Sequence, residues 1–166
     1  MDTRNHGARR QTKICVNDLA KTLTACVLLF YAGTVAAQTP TYLQSSPVIV
    51  HNDRGGLLRA QLLRLGELRQ SHRPVEITGA LCYSSCTMYL GLPQTCISSD
   101  TVFGFHGPSS YGRALSQPAF ERASQLISNY YPPALRAWYL STGRYRVSGL
   151  YKISGKQIVD MGIREC

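Results

Sequence analysis

Two short runs of this chain hold residue types that could carry out acyl transfer. The first is Gly79-Ala80-Leu81-Cys82-Tyr83-Ser84-Ser85-Cys86-Thr87-Met88-Tyr89-Leu90, and the second is Phe103-Gly104-Phe105-His106-Gly107-Pro108. A neutral serine hydroxyl is a poor nucleophile, so it needs an imidazole within hydrogen-bond reach and N–H donors for the oxyanion that forms. The first run reads as strand, sharp turn and helix start, a geometry that lifts a serine off a sheet with a helix N-terminus behind it. The second reads as a strand with His106 at its end. On this reading Ser85 attacks, His106 takes its proton, and the amides of Gly56 and Cys86 face the developing charge. Ser84 takes the nucleophile's place if the turn falls one residue earlier.

The elements that must position these groups alternate along the chain. Val48-Ile49-Val50 is a β-branched run that breaks at the glycine pair Gly55-Gly56. Leu57, Leu58, Leu62, Leu65 and Leu68 then recur at helical spacing as far as Gln70, with an arginine-rich opposite face. Val75 to Cys82 reads as the next strand and Ser85 to Gly91 as the next helix start. Cys96 to Ser99 and Thr101 to Phe105 are short β segments around Asp100. This alternation is that of parallel α/β units. The second half reads as helical: Gln117 to Ser128, Ala134 to Leu140, and a last helix from Ser154 to Gly162, capped by the serine and closed by the glycine. Tyr130, Tyr131, Trp138 and Tyr139 read as core packing, or as the wall of a peptide site.

Taken in order, these pieces resemble the Clp protease proteolytic subunit and its relatives in the crotonase-like superfamily, over residues 47 to 163. Asn52-Asp53-Arg54-Gly55-Gly56-Leu57 is similar to the family's glycine-pair loop, Ser84-Ser85-Cys86-Thr87 to its nucleophile turn, and Phe105-His106-Gly107-Pro108 to its histidine-bearing strand end. Ser141-Thr142-Gly143 and Ile153 to Ile163 are similar to its later Thr-Gly and closing helix. The resemblance implies an α/β fold with a crotonase-like layered core of βαβ units and a helical C-terminal half. It also implies a serine peptidase with peptide or protein substrates, and a homo-oligomer, a trimer or a ring. The family's triad aspartate falls where this chain has Gly149-Leu150-Tyr151-Lys152. Asp100, Glu121 or Asp160 substitutes from elsewhere, or the site runs as a Ser-His dyad. The alternative is a catalytically inactive member of the same fold, a binding or assembly module of the cell envelope.

Length and composition bound the setting. The chain has 166 residues, 44% of them hydrophobic, which suits one packed domain spanning 47 to 166. Ahead of it, basic residues from Arg4 to Lys21, the apolar run Leu23 to Val35 and Val35-Ala36-Ala37 have the layout of a bacterial secretory signal peptide over residues 1 to 37. Residues 38 to 46 read as a flexible leader. The expected destination is periplasmic or secreted, with no membrane span once the signal is cleaved and no ATPase partner. Beyond residue 37 stand 13 Lys and Arg against 7 Asp and Glu, with the arginines scattered and no recognition motif around them, so no specific nucleic-acid partner is expected. Cys82, Cys86, Cys96 and Cys166 form an even set that an exported chain would oxidise. Their pairing is open among three possibilities, with a bridge from Cys96 back to Cys82 or Cys86 favoured. A Cys-x3-Cys spacing without a second pair does not make a zinc site, and no metal or other cofactor is expected.

Overall fold

The computed structural model describes residues 46–166. The expected signal peptide and all of the leader except Ser46 lie outside the described residues. The order is β1 (Val48–Val50), α1 (Leu58–Ser71), β2 (Val75–Ile77), β3 (Leu81–Tyr83), a 3₁₀ helix (Ser84–Gly91), β4 (Thr95–Ile97), β5 (Val102–Phe105), α2 (Gln117–Ser128), α3 (Pro133–Ser141), a 3₁₀ turn (Gly143–Tyr145), β6 (Tyr151–Ser154) and α4 (Gly155–Asp160). Over the described residues the architecture is mixed α/β, with four α-helices and two three-stranded sheets.

β1, β2 and β4 form the first sheet, all parallel. β3, β5 and β6 form the second, with β3 and β5 parallel and β6 antiparallel. The single strand expected from Val75 to Cys82 is therefore two strands in two sheets. The chain changes sheets at Thr78-Gly79-Ala80, where the amides of Thr78 and Gly79 both donate to Val50 O and Ala80 N donates to Asn52 Oδ1. The next pass does the same between β4 and β5, where the Thr101 hydroxyl donates to Gly79 O at 2.6 Å. The first pass follows suit: beyond β1, Asp53 makes a parallel bridge to Cys82. Three passes thus cross side by side from one sheet to the other. The glycine loop, the serine turn and the histidine emerge at the same end of the second sheet.

The hydrophobic core is built from Leu65 and Leu68 of α1, Val75, Ile77, Ile97, Phe103 and Phe105 of the strands, and Leu135 and Tyr139 of α3, among others. Burying side chains of this kind is the dominant favourable term in folding. Of the leucines expected on the inner face of α1, Leu57 lies before the helix and is 62% exposed.

Two further expectations need correction. The second half is not wholly helical: Tyr151–Ser154 forms β6, paired with β5, and because only Ile153 of its four residues is buried, so short an edge strand leaves no periodic signal. The disulfides pair Cys82 with Cys86 and Cys96 with Cys166, not Cys96 with Cys82 or Cys86. Cys96 belongs to the first sheet, and the C-terminal tail lies along its edge: Ile97 N donates to Arg164 O, and Cys166 N to Ile97 O. Cys82 belongs to the second sheet and meets Cys86 in the adjoining 3₁₀ helix. Two disulfides are consistent with an exported protein. Among the described residues no helix is long and apolar enough to cross a membrane.

Candidate active site

β3 ends at Tyr83, and the chain turns into the 3₁₀ helix through Ser84, whose φ is +56°. A non-glycine residue in the left-handed region is held there by its surroundings, and such residues concentrate at functional sites. Three features hold this one. Thr87 Oγ1 donates to Ser84 O at 2.7 Å, closing the first turn of the helix. The Cys82–Cys86 disulfide staples the strand to the helix across Ser84. On the outer side lies the 52–56 loop, sewn to β3 by Asp53 N donating to Leu81 O and Tyr83 N to Asp53 O.

Gly55 is required in that loop. Its φ is +79°, and a Cβ there would lie 2.6 Å from Tyr83 O, 2.7 Å from Ser84 Cβ and 2.8 Å from Ser85 N. The Asp53 carboxylate fixes the loop by accepting Gly55 N–H at 2.7 Å. One residue on, Gly56 N–H donates to Ser85 Oγ at 2.8 Å.

β5 lies parallel to β3, with Gly104 opposite Tyr83. A side chain at Gly104 would collide with the Tyr83 ring, 2.6 Å from Cδ1, so the bare backbone there lets the two strands carry their C-terminal ends forward together. His106 follows directly, and its Nε2 is 2.7 Å from Ser84 Oγ. Its Nδ1 is 2.7 Å from Gly107 O. A carbonyl oxygen can only accept, so in the neutral ring Nδ1 carries the proton and Nε2 presents its lone pair to the Ser84 hydroxyl. The backbone around the ring is clamped: Tyr139 Oη donates to His106 O at 3.3 Å and Gly107 N to Arg146 O at 2.9 Å.

The pair opens into a pocket of about 340 Å³. Leu57, Met88, Leu115, Ile127 and Tyr131 make its walls apolar, and Pro108, Ser109, Tyr111 and Gly112 also line it. At its base the Tyr131 hydroxyl donates to Thr87 Oγ1 at 2.7 Å, since the Thr87 proton is already given to Ser84 O. Burial pushes the Tyr131 phenol far above its ordinary range, and the neighbouring Tyr139 adds to this. Tyr139 is also pushed up by burial, against the opposing influence of Arg144. Both phenols are therefore neutral donors at any physiological pH.

The residues singled out in the sequence are thus distributed differently from the first reading. His106 stands where expected, and it meets Ser84 instead of Ser85. Gly56 is at the site, with its amide directed onto Ser85 Oγ. Cys86 is buried and does not line the pocket. With Ser84 at the turn, the amide that follows it is that of Ser85, one of the first N–H groups of the helix, which have no acceptor within it. Asp100 lies at the opposite end of β5 from His106, in the turn after Ser98. Asp160 is on α4, 3.5 Å from Lys156 Nζ. Glu121 is held by Arg144 at 2.6 Å. None of the three reaches the imidazole, whose Nδ1 is taken by the Gly107 carbonyl. Sequence reasoning missed that carbonyl and the Thr87–Tyr131 pair. Backbone acceptors have no residue-type signature, and the pair joins residues 44 positions apart.

Compared with known proteins, the chain is matched by no family model, no curated protein and no solved structure.

Proposed function

We propose that this protein is an exported serine hydrolase of crotonase-like type, acting on peptides or loosely folded chains without ATP, with Ser84 as nucleophile and His106 as general base. The observation that carries the reading is the 2.7 Å contact between His106 Nε2 and Ser84 Oγ, made at a left-handed turn that faces a pocket. In the first step Ser84 Oγ bonds to the substrate carbonyl carbon, its proton passes to Nε2, and the carbonyl π pair moves onto oxygen. When the tetrahedral intermediate collapses, the bond to the leaving amine breaks and the amine takes the proton from Nε2. Water then repeats the sequence on the acyl-enzyme, releasing the acid and restoring Ser84.

The Gly107 carbonyl does part of an orienting carboxylate's work. It selects the tautomer that can accept from serine. It brings no full negative charge to the imidazolium, a weaker arrangement than an acid would provide. That feature favours the second reading, a silent binding module of the same fold.

A fluorophosphonate probe separates the two. Mass spectrometry should find the adduct on Ser84, absent from Ser84→Ala and from His106→Ala. Folded protein that acquires no adduct would make the binding module the better account.

A further inference from the structure

Once Ser84 is the nucleophile, its neighbour Ser85 is left without an assigned task, although it too lines the pocket. Its side chain makes one hydrogen bond among the described residues, and in it Oγ is the acceptor, from Gly56 N–H at 2.8 Å. A serine hydroxyl also has a proton to donate, and among the described residues no acceptor takes this one. The Gly56 amide, for its part, is spent on Oγ. Whatever stabilisation that amide gives an oxyanion must therefore pass through the Ser85 hydroxyl.

We propose that Ser85 is a catalytic residue, a hydroxyl donor to the oxyanion. As Ser84 Oγ bonds to the carbonyl carbon and the π pair moves onto oxygen, the Ser85 O–H donates to that oxygen beside the Ser85 backbone N–H. Gly56 N–H, donating to the same Oγ from behind, polarises the O–H and strengthens the bond it makes. No covalent bond to Ser85 forms or breaks and its proton stays on Oγ. The arrangement supplies two donors from one residue at the turn, and the Gly55-Gly56 loop serves to hold the second in place. The inference rests on Ser84 being the nucleophile.

The test measures rates of fluorophosphonate labelling on the full processed chain. In this reaction Ser84 Oγ bonds to phosphorus, its proton passes to His106 Nε2, fluoride leaves, and the P=O oxygen stands in for the carbonyl oxygen. Losing one oxyanion donor costs about 10²-fold to 10³-fold in comparable sites. Ser85→Ala should therefore still label on Ser84, about 10²-fold more slowly. Ser85→Thr, which keeps the hydroxyl, should recover most of the rate. Near-UV circular dichroism of both variants checks that the turn is intact, and Ser85→Cys serves as a further donor-weakened variant if alanine does not fold. Labelling of Ser85→Ala on Ser84 at the wild-type rate overturns the proposal while leaving Ser84 as nucleophile. A faster rate would also overturn it, and would make Ser85 a plug over the Gly56 amide. If wild-type protein labels nowhere, the nucleophile assignment itself fails; if it labels on Ser85, the two serines exchange roles.

Discussion

Gly55→Ala is the perturbation that most directly tests how the turn is held. An L-residue in the left-handed region costs about 1–2 kcal/mol. The new Cβ would also sit 2.6 Å from Tyr83 O and 2.8 Å from Ser85 N, both backbone atoms of the turn, which cannot swing aside as a side chain can. Overpacking of that kind costs about 1–3 kcal/mol. The sum, about 2–5 kcal/mol, is a large part of the roughly 5–15 kcal/mol of a typical domain. Gly56→Ala is the control, since a Cβ there meets no atom within 4 Å. In urea, with a slope of roughly 1–3 kcal/mol per molar, Gly55→Ala should lower the midpoint by about 0.7–5 M at unchanged slope, and Gly56→Ala should barely move it. Unfolding free energies for the two alanine variants that differ by less than about 0.5 kcal/mol would refute the claim that Gly55 seats the loop against the turn.

Two further outcomes follow from the same packing. By loop-closure entropy the Cys96–Cys166 bridge, spanning 70 residues, is worth about 4 kcal/mol, and the Cys82–Cys86 bridge, spanning 4, about 2 kcal/mol. Replacing each pair with alanine should therefore cost more stability for the first, yet slow Ser84 labelling more for the second, which flanks the turn; effects ranked alike in both assays would defeat this. Tyr131 and Tyr139 have raised pKa values in the folded state, so above about pH 10 the unfolded chain loses protons that the folded one keeps. Their contribution is complete at neutral pH and is lost as pH rises, by about 1.4 kcal/mol per pH unit for each phenol. Denaturation midpoints measured from about pH 8 to 11 should fall, less steeply in Tyr131→Phe, and an equal fall in that variant would count against a buried, neutral Tyr131.

Much of the element order was legible in the sequence because local signals carried it. The leucine spacing located α1 to within a residue or two, Pro118 marked the start of α2, and Ser154 caps α4 through a reciprocal box with Gln157. What the sequence hid was non-local. Val75 to Cys82 reads as one strand, and it is split between two sheets at Thr78-Gly79-Ala80 by contacts with Val50, His51 and Asn52 and with Thr101, all distant in sequence. The cysteine pairing depended on that split. So did the choice of serine: two adjacent serines at a turn have the same local signal, and the one that meets His106 is fixed by the register of β3 on β5. Glycines at 55 and 104 were visible as letters, but what they make room for became visible only across the sheet.

Under the proposed function, the imidazole is oriented without an acid. In a triad the carboxylate selects the tautomer and steadies the ring from outside the strand that bears it. Here the ring's own neighbour supplies the acceptor, Gly107 O, and the backbone on either side is pinned, by Tyr139 at the His106 carbonyl and by Arg146 at the Gly107 amide. Orientation is thereby built into β5, α3 and the segment that follows α3, with no carboxylate among the ring's partners. Charge is the part a carbonyl cannot replace. A dyad of the kind proposed would rely more on its oxyanion donors, and a second donor at Ser85 would matter more than in a site that keeps its acid.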